Sequence, residues 1–245
     1  MSINSPFTKK NLNTCLSALA KEFRKLNGKN MPAEIILIGG ASVLANYGFR
    51  DVTYDVDAVI NASSAMKEAV NRVGDKLGLP NGWMNMDFKT TRSYSDKLNE
   101  VSVYYKTFSN ILTVRTVAAE YLIAMKLMSG RQYKNDLSDI VGILLEHQER
   151  GSPILREAVD SAVTILYGGW ADIPKASFVF IDDAFRGGDC KIIYAQIREN
   201  EQNAKAAVLA FEGRGQHTRD EASIDAIIEQ ARRKRQQTME KPQDE

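Results

Sequence analysis

The sequence predicts an α/β (α+β) protein, with a small mixed sheet in residues 1–150 and a helical region over residues 151–245. Three observations carry this reading. The apolar run Ile35-Ile36-Leu37-Ile38 stops at Gly39-Gly40 and reads as a short buried strand. Tyr54 to Ile60, Val101 to Tyr105 and Ile111 to Val114 read as further strands, giving a sheet of four or five. Apolar residues at helical spacing lie between these strands and dominate after Gly151.

The elements follow in order. Ser5-Pro6 or Thr8 caps a helix over Lys9 to Leu26, with Leu12, Leu16, Leu19, Ala20 and Phe23 as its apolar stripe. Asn27-Gly28 ends it. Beyond the first strand, Ala41 to Tyr47 is predicted helical and Gly48 stops it. Ser63 or Ser64 caps a helix to about Leu77, with Met66, Val70, Val73 and Leu77 inward. Gly78 to Gly82 is a turn, Trp83 a packing residue, and Lys89 to Asn99 a polar loop. Glu120 to Ser129 and Asn135 or Asp136 to Leu145 are helices broken at Gly130-Arg131. Later helices are expected over Leu155 to Leu166, Ile192 to Phe211 and about Glu221 to Thr238. Asp182-Asp183 and Gly187-Gly188-Asp189 read as turns and caps, and Arg214 to Asp220, with His217, as a loop. Residues 239–245 are expected to be a disordered tail.

Composition narrows the function classes. At 44% hydrophobic and 26% charged, the 245 residues suit a soluble globular protein with a sizeable core. A net charge of +1 points to no polyanionic partner by itself. Two distant cysteines, Cys15 and Cys190, make no metal-ligand spacing, so reduced thiols and a cytoplasmic location are expected. MSINSPFTKK has no apolar signal core, and no run approaches the ~18 apolar residues of a membrane span. No Ser-His-Asp or Cys-His arrangement, Walker-type loop or zinc-ligand cluster is present. The basic run Arg232 to Arg235 reads as a solvated helix end or an RNA phosphate contact.

The chemistry concentrates between Ile35 and Ile60. Asp55 and Asp57 alternate with Val56, so on a strand both carboxylates share a face. Two repelling acids side by side suit a cation, and Mg²⁺ takes one or two carboxylates plus phosphate oxygens and water. Gly39-Gly40 lets backbone approach a ligand closely, and a helix N-terminus presents N–H groups to phosphate. Ser42 adds a hydroxyl nearby. The alternative is an ordinary strand-to-helix turn beside an exposed edge strand.

Gly39-Gly40-Ala41-Ser42 followed by Arg50-x-x-Thr53-x-Asp55-x-Asp57 resembles the DNA polymerase β-type nucleotidyltransferase superfamily, and within it the AbiEii toxin-like branch. Lys126-x₄-Arg131-x-x-Lys134-x-Asp136-x-x-Asp139 is similar to a second segment of that branch. The resemblance implies a nucleotidyltransferase core at 1–150, with Asp55 and Asp57 holding Mg²⁺ (one ion or two). It also implies a catalytic Lys126, and Gly39, Gly40, Ser42, Arg50, Thr53, Arg131, Lys134 and Asp136 around a nucleoside triphosphate. Cations there match the charge that develops on leaving pyrophosphate. Asp139 reads as a structural partner. The acceptor implied is an RNA (tRNA) or protein hydroxyl, in a toxin–antitoxin setting with an antitoxin partner and no membrane. The superfamily's third carboxylate has no counterpart within Val101–Tyr105; Glu100 and Asp87 are the substitutes. A degenerate module that binds a nucleotide or partner without turnover is the alternative function. A third reading is RNA binding through the C-terminal basic helix.

Overall fold

The computed structural model describes residues 6–85, 87–131, 134–187, 190–212, 224–231 and 233. The elements are α1 (Lys9–Asn27), β1 (Ala33–Leu37), α2 (Gly39–Asn46), β2 (Val56–Asn61), α3 (Ala65–Leu77) and β3 (Met84–Asn85). Then come β4 (Ser102–Phe108), β5 (Leu112–Val117), α4 (Ala119–Ser129), α5 (Asp136–Glu149), α6 (Arg156–Tyr167), α7 (Lys175–Arg186) and α8 (Cys190–Glu212). Residues 224–231 are helical as well.

The five strands form one mixed sheet in the order β3-β2-β1-β5-β4. β1 is central, antiparallel to β2 and parallel to β5. Its side chains alternate between two cores. Ile35 and Leu37 pack with α1 and α3, while Ile36 and Ile38 pack with α4, α5, α6 and α7. A strand buried on both faces has no reason to alternate polar and apolar residues, which explains the continuous apolar run. β4 and β5 form a hairpin whose turn residues Ser109 and Asn110 have φ of 51° and 53°. That left-handed pair fits a tight hairpin turn.

α1 forms as predicted. Its N-cap Thr8 makes a reciprocal capping box with Asn11, and the predicted stripe is buried. Trp83 is a packing residue, buried against Phe7 with its indole N–H donating to Val70 O (3.0 Å). Several boundaries differ from the sequence reading. Gly39-Gly40 is the first turn of α2 rather than a turn before it, and β2 begins at Val56, one residue after Asp55. The polar loop contains 3₁₀ turns at Asp87–Thr90 and Asp96–Asn99. Asp182-Asp183 lies inside α7, not in a turn, because Phe180 and Ile181 pack onto the α4–α6 core and Asp182 accepts from Arg156 (2.9 Å). That core runs continuously across residue 150.

The loop with His217, the start of the last helix, Gly188-Asp189, the tail and all of the basic run except Arg233 lie outside the described residues. Arg233 is exposed. Among the described residues no helix is long and apolar enough to cross a membrane.

Candidate active site

The acid pair is placed by the meeting of β1, α2 and β2. Ile38 N–H donates to Asp57 O (3.0 Å), so the end of β1 is fixed beside the second acid. Asp57 lies on the same face of β2 as Val59, the face that α4 covers. The chain before β2 is held by an isolated bridge in which Phe7 and Thr53 exchange N–H···O bonds of 2.6 and 2.9 Å. Buried Thr53 then donates its hydroxyl to Asp55 Oδ1 and Asp55 O, both at 3.2 Å. Asp55 is exposed and Asp57 half-buried.

The glycines are required by space. A Cβ on Gly39, whose φ is +55°, would lie 3.3 Å from Asp57 Oδ2. A Cβ on Gly40 would lie 2.6 Å from Thr53 Oγ1 and 2.9 Å from an Arg50 guanidinium nitrogen. The first N–H groups of a helix lack intrahelical acceptors, so α2 begins with donors beside two carboxylates. Burial pushes the Asp57 carboxyl above the usual carboxylate range, opposed by the Asn85 hydrogen bond, with Asp55 adding to the rise. Lys134 and Arg131 face Asp57 and pull the other way.

Beneath this lies a buried ion network. Lys126, 5% exposed on α4, bonds Asp139 Oδ2 at 2.6 Å and Asp136 Oδ1 at 3.1 Å. Arg131 Nε reaches Asp136 Oδ2 at 3.0 Å, and Arg50 pairs with Asp139. Burial opposes the Lys126 charge, but Asp139 and Asp136 outweigh it and hold the ammonium above its ordinary value. Burial likewise opposes ionised Asp136, yet Lys126 and Arg131 hold its carboxyl far below the usual range.

Two connected lobes open around the acid pair, of about 390 and 400 Å³. Gly39, Asp55, Asp57, Arg131 and Lys134 border both. The first lobe is walled by Tyr54 and by Lys205, Val208 and Leu209 of α8. The second is walled by Phe88, Arg92 and Ser93 after β3 and by Leu122, Met125 and Met128 of α4.

The residues expected at the site from sequence therefore separate into three groups. Gly39, Gly40, Thr53, Asp55, Asp57, Arg131 and Lys134 converge on the cleft. Lys126, Arg50, Asp136 and Asp139 also line the first lobe, Lys126 and Asp136 both lobes, and form the ion network at the cleft floor, where Lys126, expected as catalytic, is engaged by two carboxylates. Ser42, expected at the phosphates, is instead fully buried within α2, its hydroxyl without a hydrogen-bond partner among the described residues.

Of the substitutes for a third acid, Glu100 pairs with Lys97 at 3.6 Å and borders neither lobe. The side chain of Asp87 lies outside the described residues. Among those residues no cluster of three or more His, Cys, Asp or Glu is suited to a metal.

Sequence reasoning missed Asn85, Tyr54, Lys205 and Glu201. Asn85 stands opposite Asp57 in the β2–β3 register and donates Nδ2–H to its Oδ1 (2.8 Å). Buried Glu201 of α8 accepts the N–H groups of Leu137 and Ser138 (3.1 Å each), capping the first turn of α5. Burial holds its carboxyl up at about 7, against the lowering effect of its bonds to Ser138, while Asp139 and Asp136 add to the rise. Only Tyr54 had a local signal, its position within the acid motif.

A mixed sheet, a glycine-led helix and two carboxylates at the start of β2 thus meet at one cleft. The chain belongs to a family described as a nucleotidyltransferase of unknown function (DUF6036), which matches residues 14–167. No curated protein and no solved structure matches the chain.

Proposed function

We propose that this chain moves a nucleoside monophosphate from a nucleoside triphosphate to a hydroxyl on RNA or protein. The observation that carries the reading is the approach of the Gly39 backbone to Asp57, 3.3 Å from a would-be Cβ, with Arg131 and Lys134 facing the same carboxylate. Donors for phosphate, acids for a cation and cations for pyrophosphate thus share one cleft. The donor set suits Mg²⁺: Asp55 and Asp57 would hold it, with phosphate oxygens and water as its remaining ligands. When bound, the metal supplies Lewis-acid neutralisation of the phosphates.

The chain's own residues do the positioning. The N–H groups at the start of α2 orient the phosphates. The acceptor hydroxyl gives up its proton to solvent water, its oxygen forms the bond to the α-phosphorus as the bond to the bridging oxygen breaks, and pyrophosphate departs. Arg131 and Lys134 neutralise the charge left on it. A toxin role follows from the motif's resemblance. It predicts that expression halts growth, and that Asp55→Asn/Asp57→Asn abolishes the arrest.

One observation favours a second reading, a module that grips nucleotide without turnover. An amide, Asn85, occupies one oxygen of Asp57, and no third acid joins the pair among the described residues. A single assay separates the two. The protein is incubated with Mg²⁺ and each α-labelled triphosphate, with total tRNA or cell lysate as acceptor. Label entering RNA or protein only with both acids intact supports transfer. Nucleotide binding without label in either acceptor supports the module and overturns transfer to these acceptors.

A further inference from the structure

We infer that the lobe between Tyr54 and α8 is the nucleobase subsite of this cleft, with Tyr54 as stacking platform and Leu209 as the facing wall. The inference rests on the nucleotide reading above.

Tyr54 is 55% exposed and Leu209 57%, and both border the same lobe as the acid pair. Large apolar side chains left in water at one cavity mark a surface for an apolar or planar ligand. Tyr54 is also a rigid platform. The residue before it is locked by the Phe7 bridge, and Val56, two residues on, enters β2. The backbone is thus fixed on both sides while the ring projects into the lobe.

The opposite wall is equally well braced. Lys205 and Leu209 are four apart on α8 and share a face, and Lys205 Nζ lies 5.3 Å from the Tyr54 ring centroid. On the adjoining face of that helix, Ala204 and Val208 pack with Ile224 and Ile228, with Val208 also reaching the lobe. Earlier on α8, Glu201 ties the helix to α5.

An aromatic face and an aliphatic wall, next to phosphate-binding cations, match the chemistry of a nucleotide rather than of pyrophosphate or a sugar phosphate. A lobe of about 390 Å³ is within the range of small-molecule pockets. The wall comes from α8, beyond the residues 14–167 that match the family. The stacking platform therefore lies within the matched region, while the wall facing it is supplied by the C-terminal region of this chain.

The test compares ligands with and without a base. Full-length protein in Mg²⁺ is titrated calorimetrically with ATP, GTP, CTP and UTP, and with inorganic tripolyphosphate as the phosphate-only probe. The variants are Tyr54→Ala, Tyr54→Trp and Leu209→Ala, all at exposed positions where folding is retained and checked by circular dichroism. Stacking of a base on an aromatic ring is worth ~1–3 kcal/mol. Tyr54→Ala should then weaken triphosphates with a base by about 5- to 150-fold. Tripolyphosphate affinity stays unchanged, Tyr54→Trp retains nucleotide binding, and Leu209→Ala weakens nucleotide alone. The inference is overturned if Tyr54→Ala leaves nucleotide affinity unchanged or weakens tripolyphosphate equally. It is also overturned if wild type binds tripolyphosphate as tightly as any nucleotide. If wild type binds neither class, the nucleotide reading itself falls, and the base subsite with it.

Discussion

Replacing Lys126 by Met tests whether that residue holds the cleft floor together or acts on substrate. Lys126 lies 2.6 Å from Asp139 and 3.1 Å from Asp136, and all three side chains are buried. Met keeps most of the volume and removes the charge, leaving two buried carboxylates with only Arg50 and Arg131 to face them. Breaking a buried pair by removing one partner costs ~3–5 kcal/mol. For a chain of this size that corresponds to a fall in melting temperature of about 6–20 °C. The assay is thermal unfolding by circular dichroism on wild type, Lys126→Met, Asp136→Asn and the double variant. Asp136→Asn takes one charged partner from Arg131, which is part-exposed and can be solvated. The double variant should therefore be more stable than the sum of the singles, by a coupling of ~0.5–3 kcal/mol. A Lys126→Met melting temperature within about 2 °C of wild type, together with loss of transfer, would refute the structural role. It would put Lys126 at the substrate. The pH dependence has a definite sign. Stability from Asp136 is present above its ordinary value of 3.8 and is lost as pH falls through its depressed folded value. Stability from Lys126 is complete below 10.5 and is lost as pH rises through its raised folded value.

Two further outcomes follow from contacts around the cleft. Gly40→Ala sets a Cβ 2.6 Å from Thr53 Oγ1, which drives the hydroxyl off Asp55 and moves Arg50. Overpacking of this kind costs ~1–3 kcal/mol, and unchanged melting and nucleotide affinity would show that the contact is not tight. Glu201→Gln keeps the acceptor oxygen on α5 and removes a buried charge. A carboxyl held at about 7 against an ordinary 4.5 amounts to ~3 kcal/mol at most. The stability linked to Glu201 is fully present below 4.5 and is lost as pH rises through about 7. Melting at pH 4.5 and 8 should therefore show wild type losing more than the variant, and equal losses would exclude Glu201 as the source.

The parts of the fold that were legible are those written in local periodicity. The α1 stripe and the run through Ile38 each state their own partner faces, and the structure buries them accordingly, whereas Asp55, read as sharing a strand face with Asp57, stands exposed one residue before β2. The position of Lys126 was also legible in part. A single lysine within the apolar segment Leu122 to Met128 must be buried with its helix, and a buried ammonium needs carboxylates. Asp136 and Asp139 stood ten and thirteen residues on. What stayed hidden depends on distant contacts. Glu201 meets α5 across more than sixty residues, and Asn85 meets Asp57 only through the β2–β3 pairing. α7 was missed for the same reason. Its adjacent acids look like a turn until Arg156, 26 residues earlier, supplies a partner.

The ion network and the cleft are one device. A lysine bonded to two buried carboxylates is poorly placed to reach a phosphate, yet it fixes the two groups that aim the arginines. Asp136 holds Arg131 at the edge of both lobes, and Asp139 holds Arg50 beside Thr53, whose hydroxyl holds Asp55. On this geometry we propose Lys126 as a positioning residue, the role that the Lys126→Met melting experiment tests. Three cations face two carboxylates in the network, so it carries a surplus of positive charge toward the acid pair and lowers the cost of placing Asp55 and Asp57 side by side. The same surplus suits an incoming polyphosphate. Lys126→Arg keeps the charge but not this arrangement, because a larger planar guanidinium has to be fitted into the buried site that an ammonium fills between two carboxylates.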